Sequence, residues 1–68
     1  MEKIKISTDY IKLDQLLKWA NLVNSGGEAK FAILNGEVKV NNEIEKQRGK
    51  KIVKGDTIEY KNKVIQVE

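Results

Sequence analysis

The apolar residues of this chain change spacing along its length, and each spacing predicts a different element. From Lys3 to Ser7 apolar and polar residues alternate, with Ile4 and Ile6 on one side, which predicts a short strand. The spacing then becomes helical. Leu13, Leu16, Leu17 and Ala20 fall at i, i+3, i+4 and i+7 and form one apolar stripe, with Asp14, Gln15, Lys18 and Asn21 around the other side. This predicts a first helix over about residues 12–20. Thr8 and Asp9 can each cap its start, and Asn21, which tolerates a left-handed backbone, suits its end. Ser25, with Glu28 three residues later, has capping-box spacing: the serine hydroxyl takes the Glu28 amide and the glutamate returns to the Ser25 amide. A second helix over 26–34 follows, with Ala29, Ala32 and Ile33 inward, the alanines letting the two helices approach closely. Gly36, after Asn35, supplies the positive φ that ends a helix.

Beyond Glu37 the alternation returns. Val38 and Val40 alternate with Lys39 and Asn41, which predicts a strand. Asn41-Asn42 suits a tight hairpin turn because both residues accept positive φ, and Ile44 begins the return. Ile52-Val53 is a further short strand and Gly55-Asp56 a turn. Residues 57–60 and 64–67 make two strands around Lys61-Asn62-Lys63. Two helices near the start of a small, mostly antiparallel sheet make an α+β domain. No proline, repeat or low-complexity linker interrupts it, so a single domain over residues 1–68 is expected.

Composition removes several classes of function. The chain has no cysteine and no histidine, so it has no disulfide, no thiolate nucleophile or cysteine zinc site, and not the commonest nitrogen ligand for a metal. The usual general base is missing too. With 68 residues, scattered acids and no glycine-rich phosphate loop, the chain offers little room for a substrate pocket. No enzyme activity, cofactor, metal or small-molecule substrate is expected. Apolar runs of only a few residues predict no membrane span, and the alternating N-terminus lacks the apolar stretch of a signal peptide. A cytoplasmic protein is expected.

Charge points to a partner. The net charge is +3, but residues 46–54 hold five bases and no acid, while the remainder carries eight bases and ten acids. Positive charge concentrated in one segment is the footprint of a polyanion-binding surface.

Several residues then line up in an ordered set: Lys12-Leu13-Asp14, Leu17, Ala20-Asn21-Leu22, Ser25, Ala29, Ile33, Gly36, Val38, Val40-Asn41 and Gly55-Asp56. Over about residues 12–60 this resembles the alpha-L RNA-binding domain, whose signature is basic-Leu-Asp at the first helix, a serine opening the second, Gly-x-Val-x-Val-Asn into a hairpin, and a late Gly-Asp. Within that family it is most similar to the small stand-alone bacterial YaaA-like proteins, which share the double glycine before Glu-Ala-Lys and a later basic run. Other members include a ribosomal small-subunit protein, pseudouridine synthases, tyrosyl-tRNA synthetases and a heat-shock ribosome-binding protein. The resemblance implies a two-helix alpha-L motif packed on a small sheet. It also implies structured RNA, ribosomal RNA included, as partner, and the ribosome as a candidate partner. Catalysis in the enzyme members belongs to another domain, and none of that kind is expected here. The chain departs from the family where Lys12 and Gln15 replace more basic residues and where Gly26 replaces the arginine that usually follows the serine.

The candidate RNA-binding residues fall into three groups. Lys12, Gln15 and Lys18 lie on or beside one face of the first helix, with Trp19 near them. Gly26 and Gly27 open the second helix, where exposed amides and the helix dipole favour a phosphate, and Lys30 lies one turn further on. Lys46, Arg48, Lys50 and Lys51 form the basic loop, which restores the positive field that Gln15 and Gly26 give up, and Lys39 extends the patch from the solvent side of its strand. Arg48, the one arginine, is best suited to paired hydrogen bonds with a phosphate. Trp19 is expected to cover the edge of the core, the alternative being to stack on an unpaired base. Phe31 and Leu34 are expected to pack under the N-terminal strand or the C-terminal hairpin. Their exposure, with that of Trp19, would instead suit a protein-interaction module.

Overall fold

The computed structural model describes residues 2–68; Met1, counted in the domain expected from the sequence, lies outside the described residues. In chain order the elements are β1 (Glu2–Ile4), β2 (Ile11–Lys12), α1 (Leu13–Trp19), α2 (Gly26–Leu34), β3 (Val38–Val40), β4 (Glu43–Ile44), β5 (Lys51–Ile52), β6 (Thr57–Tyr60) and β7 (Lys63–Val67). The two helices pack on a five-stranded sheet of order β1-β7-β6-β3-β4, antiparallel except where β1 runs parallel to β7. A separate two-stranded ribbon pairs β2 with β5.

Both helices end in the same way. Asn21 takes φ 59°, and the amides of Asn21 and Leu22 donate to the carbonyls of Lys18 and Leu17. Gly36 takes φ 73°, and the amides of Gly36 and Glu37 donate to Ile33 and Ala32. These are Schellman ends, and they satisfy carbonyls that a helix otherwise leaves unpaired. At the start of α2 the Ser25 hydroxyl accepts the Glu28 amide at 3.1 Å, as the capping box requires. The return bond differs: the Glu28 carboxylate accepts the amide of Asn24, at 2.7 Å, rather than that of Ser25.

The start of α1 corrects the sequence reading. Neither Thr8 nor Asp9 caps it; the cap position is Lys12, with no side-chain cap. The first amides are satisfied from elsewhere in the chain. Leu13 N–H donates to the Lys50 carbonyl at 2.9 Å and Asp14 N–H to the Arg48 carbonyl at 3.1 Å. Gln15 N–H is taken by Asp14 Oδ1. Thr8 uses its hydroxyl on the Tyr10 carbonyl instead.

Alternation sorts each sheet strand into two faces. Val38, Val40, Ile58, Tyr60, Ile65 and Val67 are buried. All but Ile65 share one cluster with Leu13, Leu16, Leu17, Ala29, Ala32 and Ile33 of the helices, with Val23 of the connecting loop and with Ile6 and Ile52. The N-terminal strand ends at Ile4, earlier than expected, but Ile6 N–H still donates to the Glu68 carbonyl and Glu68 N–H to that of Ile4, so the parallel contact continues past the strand. Both hairpins close on two residues of positive φ, Asn41-Asn42 and Lys61-Asn62. The second turn is therefore shorter than the three-residue connection expected, because Lys63 already pairs with Tyr60. At that turn the Lys61 ammonium lies over the Tyr60 ring, and the hydrogen bond it donates to the tyrosine oxygen raises the lysine pKa above its ordinary value.

Two halves of the sequence signature meet in space. Asp56 accepts the amide of Val53 at 2.9 Å and the Asn41 side-chain amide at 3.1 Å, and the Asn41 side-chain carbonyl accepts Thr57 N–H at 3.0 Å. The Val-Asn and Gly-Asp fragments thus form a polar clasp between the first hairpin turn and the start of β6.

Three expectations about packing are overturned. Trp19 is 63% exposed, Phe31 69% and Leu34 55%. The core closes with the inward stripe of each helix, and Phe31 and Leu34 lie off the Ala29, Ala32 and Ile33 stripe of α2. Trp19 is the last residue of α1 and lies off the buried stripe of Leu13, Leu16 and Leu17.

Candidate nucleic-acid interface

The β2–β5 ribbon is the scaffold of the candidate surface. Ile11 pairs with Ile52 and Lys12 with Lys51. Because side chains alternate along a strand, the two isoleucines share one face and the two lysines the other. Ile52 is fully buried and Ile11 packs against the core, so Lys12 and Lys51 face solvent directly opposite each other. Two like charges opposite one another destabilise a strand pair. Tyr10, two residues before Lys12, joins the same face, and the Lys51 ammonium lies 4.8 Å from the centre of its ring.

The basic loop joins this face through its backbone. The bonds from the α1 amides to the carbonyls of Lys50 and Arg48 hold the loop against the first turn of α1, which also carries Gln15 one turn on from Lys12. Lys12, Arg48, Lys50 and Lys51 are therefore gathered around one helix start. All four are exposed. Among the described residues the one side-chain ion pair joins Lys3 to Glu68 at 3.6 Å, so these four bases carry charge not committed to a carboxylate.

The other candidates lie on α1, on α2, on the sheet and in the basic loop. Gln15 and Lys18 are exposed on α1. Gly26, Gly27 and Lys30 are exposed on the first turns of α2, and a Cβ added at Gly26 would meet nothing within 4 Å. Lys46 lies at the other end of α2, where its aliphatic chain would be 3.5 Å from a Cβ on Gly36. A cation there also complements the C-terminal end of the helix dipole. Lys39 is separated from the rest. It pairs with Ile44 and Glu59 between the buried Val38 and Val40, so it lies on the sheet face that turns away from the helices.

The structure also brings in residues the sequence reading passed over. A broad open groove of about 1070 Å³ is lined by residues 5–12 together with Gln15 and Trp19. It adds Lys5 and Tyr10 to the surface. The sole sign of Tyr10 in the sequence is its alternation with Ile11 and Lys12, too short a run to announce a strand. No helix among the described residues is long and apolar enough to cross a membrane.

Two helices packed on a mixed sheet, with a basic loop bonded across the start of the first helix, define an alpha-L domain. The chain matches the S4 domain family over residues 4–68 and belongs to that family. It is 45% identical over 56 residues, 82% of this chain and 79% of the relative, to a protein of Bacillus subtilis (strain 168) named "Probable ribosome maturation protein RlbA". It is 38% identical over 58 residues to YbcJ of Escherichia coli (strain K12), covering 85% of this chain and 83% of the relative. The solution structure of YbcJ, described as revealing an alpha-L motif involved in RNA binding, matches with a TM-score of 0.75 at 34% identity, over 98% of this chain and 86% of that one.

Proposed function

We propose that this chain, as one cytoplasmic domain, is a non-catalytic RNA-binding protein that acts on structured RNA, ribosomal RNA foremost, in ribosome assembly or translation. The observation that carries the proposal is the fastening of the 46–51 loop to the first turn of α1, which gathers Lys12, Arg48, Lys50 and Lys51 at one place without a paired carboxylate. RNA helices are recognised by shape and by contacts to phosphate and 2′-hydroxyl groups, for which a cluster of bases on a fastened backbone is suited. Gln15 and Lys18 on α1, Gly26, Gly27 and Lys30 on the first turns of α2, and Lys46 near its far end are exposed and would extend the contact. Lys39 belongs to the other face of the sheet and is left out of it. The names of YbcJ's structure and of the Bacillus subtilis relative support RNA as partner and the ribosome as its setting.

Four or five phosphate contacts predict that the logarithm of affinity falls with that of salt at a slope of roughly −3 to −4.5. Titration of ribosomal RNA fragments at several salt concentrations measures it. No affinity at low salt would end the proposal.

A second reading rests on one specific observation, the exposure of Phe31 and Leu34, which lie three residues apart on α2 and so share a face. A protein-interaction module would use them as anchors, and its association would be insensitive to salt and independent of RNA.

A further inference from the structure

Resting on the RNA-binding reading, we propose that the groove between residues 5–12 and α1 seats a single unpaired nucleotide of the RNA, with its base stacked on the indole of Trp19. Three observations point to that occupant. The first is that Trp19, the one tryptophan of the chain, is 63% exposed although the core is complete without it. A solvent-facing indole is a large sequence-tolerant stacking surface. The second is that Trp19 shares the groove with Gln15, whose side chain takes part in none of the protein's hydrogen bonds among the described residues. A free side-chain amide carries donors and an acceptor that match the edge of a base. The third is charge. Lys5 and Lys12 line the groove and Lys51 sits over Tyr10 on its wall, against one acid, Asp9. An aromatic platform rimmed by unpaired bases fits a stacked base with its phosphate on the cationic rim.

In this arrangement the paired RNA lies across the 46–51 loop, and the nucleotide that leaves the helix enters the groove beside it. Lys12 stands between the two regions: it opposes Lys51 in the ribbon and lines the groove.

The test uses the full chain and three RNA hairpins of the same stem: fully paired, with one bulged purine, and with an abasic bulge. Because Trp19 is the one tryptophan, its fluorescence reports on the groove alone. The bulged hairpin is expected to quench it and to bind roughly 5- to 150-fold more tightly than the other two, the range for stacking of one base on an aromatic side chain. Trp19→Ala should abolish that preference and leave affinity for the paired hairpin unchanged, and Trp19→Phe should keep part of it. Thermal unfolding of both variants checks that this exposed substitution preserves the fold. Equal binding of the three hairpins, or a preference that survives Trp19→Ala, overturns the seat while leaving RNA binding in place. Failure of all three hairpins to bind at low salt overturns the underlying reading as well. Fluorescence that changes with protein concentration in the absence of RNA would give the groove to a second copy of the chain and overturn the proposal.

Discussion

Asp56→Ala tests how the signature residues contribute to the fold. The carboxylate accepts two hydrogen bonds, from Val53 N–H and from the Asn41 side chain, and Asn41 in turn holds Thr57 N–H. A hydrogen bond to a charged acceptor contributes about 1.5–3 kcal/mol when buried and nearer 1 kcal/mol when part-exposed. Asp56 is half-buried and both its partners are exposed, so the loss is expected to be about 2 kcal/mol. A domain of this length has a total stability of roughly 3–10 kcal/mol, which makes the loss a large fraction of the whole. The melting temperature should fall by roughly 8–16 °C. Circular dichroism melts at neutral pH and fixed salt measure it. Asn41→Ala removes two bonds and shares one of them with Asp56. The double variant should therefore be less destabilised than the sum of the singles by about 1 kcal/mol. The salt slope of RNA binding, measured well below the melting temperature, should be unchanged because no base is lost. A melting temperature within about 2 °C of the parent, or strict additivity of the two substitutions, would refute the clasp as a stabilising element.

Other outcomes follow from the same structure. Replacing Arg48, Lys50 and Lys51 together by alanine should flatten the salt slope of RNA binding by roughly 2–3, and an unchanged slope would move the contact to the helices. Lys39→Ala should leave slope and affinity within error of the parent, because Lys39 faces away from the helices; a loss like that at Arg48 would place RNA on the outer sheet face. Ser25→Ala should cost about 0.5–2 kcal/mol in denaturant unfolding, since the Glu28 amide loses its partner. Leu16→Ala, at a fully buried position, should cost about 2–5 kcal/mol, read as a lower midpoint of denaturant unfolding followed by circular dichroism.

The helices and hairpins were legible because each carries its own punctuation. Ser25, Asn21, Gly36 and Asn41-Asn42 all act where the sequence places them, Ser25 through its hydroxyl and the others through positive φ angles that only a few residue types accept comfortably. What escaped the sequence depends on partners far along the chain. The ribbon of Ile11-Lys12 with Lys51-Ile52 is two residues long on each side, too short for periodicity to announce, and its members lie some forty positions apart. The first helix needs no side-chain cap because carbonyls from the basic loop do that work, and nothing in Thr8 or Asp9 signals it. Phe31 and Leu34 read as core from composition alone. They are outside because α2 is apolar on more of its circumference than the buried stripe of Ala29, Ala32 and Ile33. For the candidate surface, the basic run was visible as charge, but its union with Lys12 was not, since a backbone hydrogen bond between distant segments leaves no mark on residue type.

The parallel pairing of β1 with β7 sets an order of events during synthesis. Glu2 to Ile4 leave the ribosome early, yet their partners, Ile65 to Val67, are made more than sixty residues later. Until then the other edge of β7's place in the sheet does not exist, and the apolar side chains of Ile4 and Ile6 have only part of their cover. The helical pair and the β3–β4 hairpin can form from local contacts while the chain is still growing, but completion of the sheet must wait until β7 has been made.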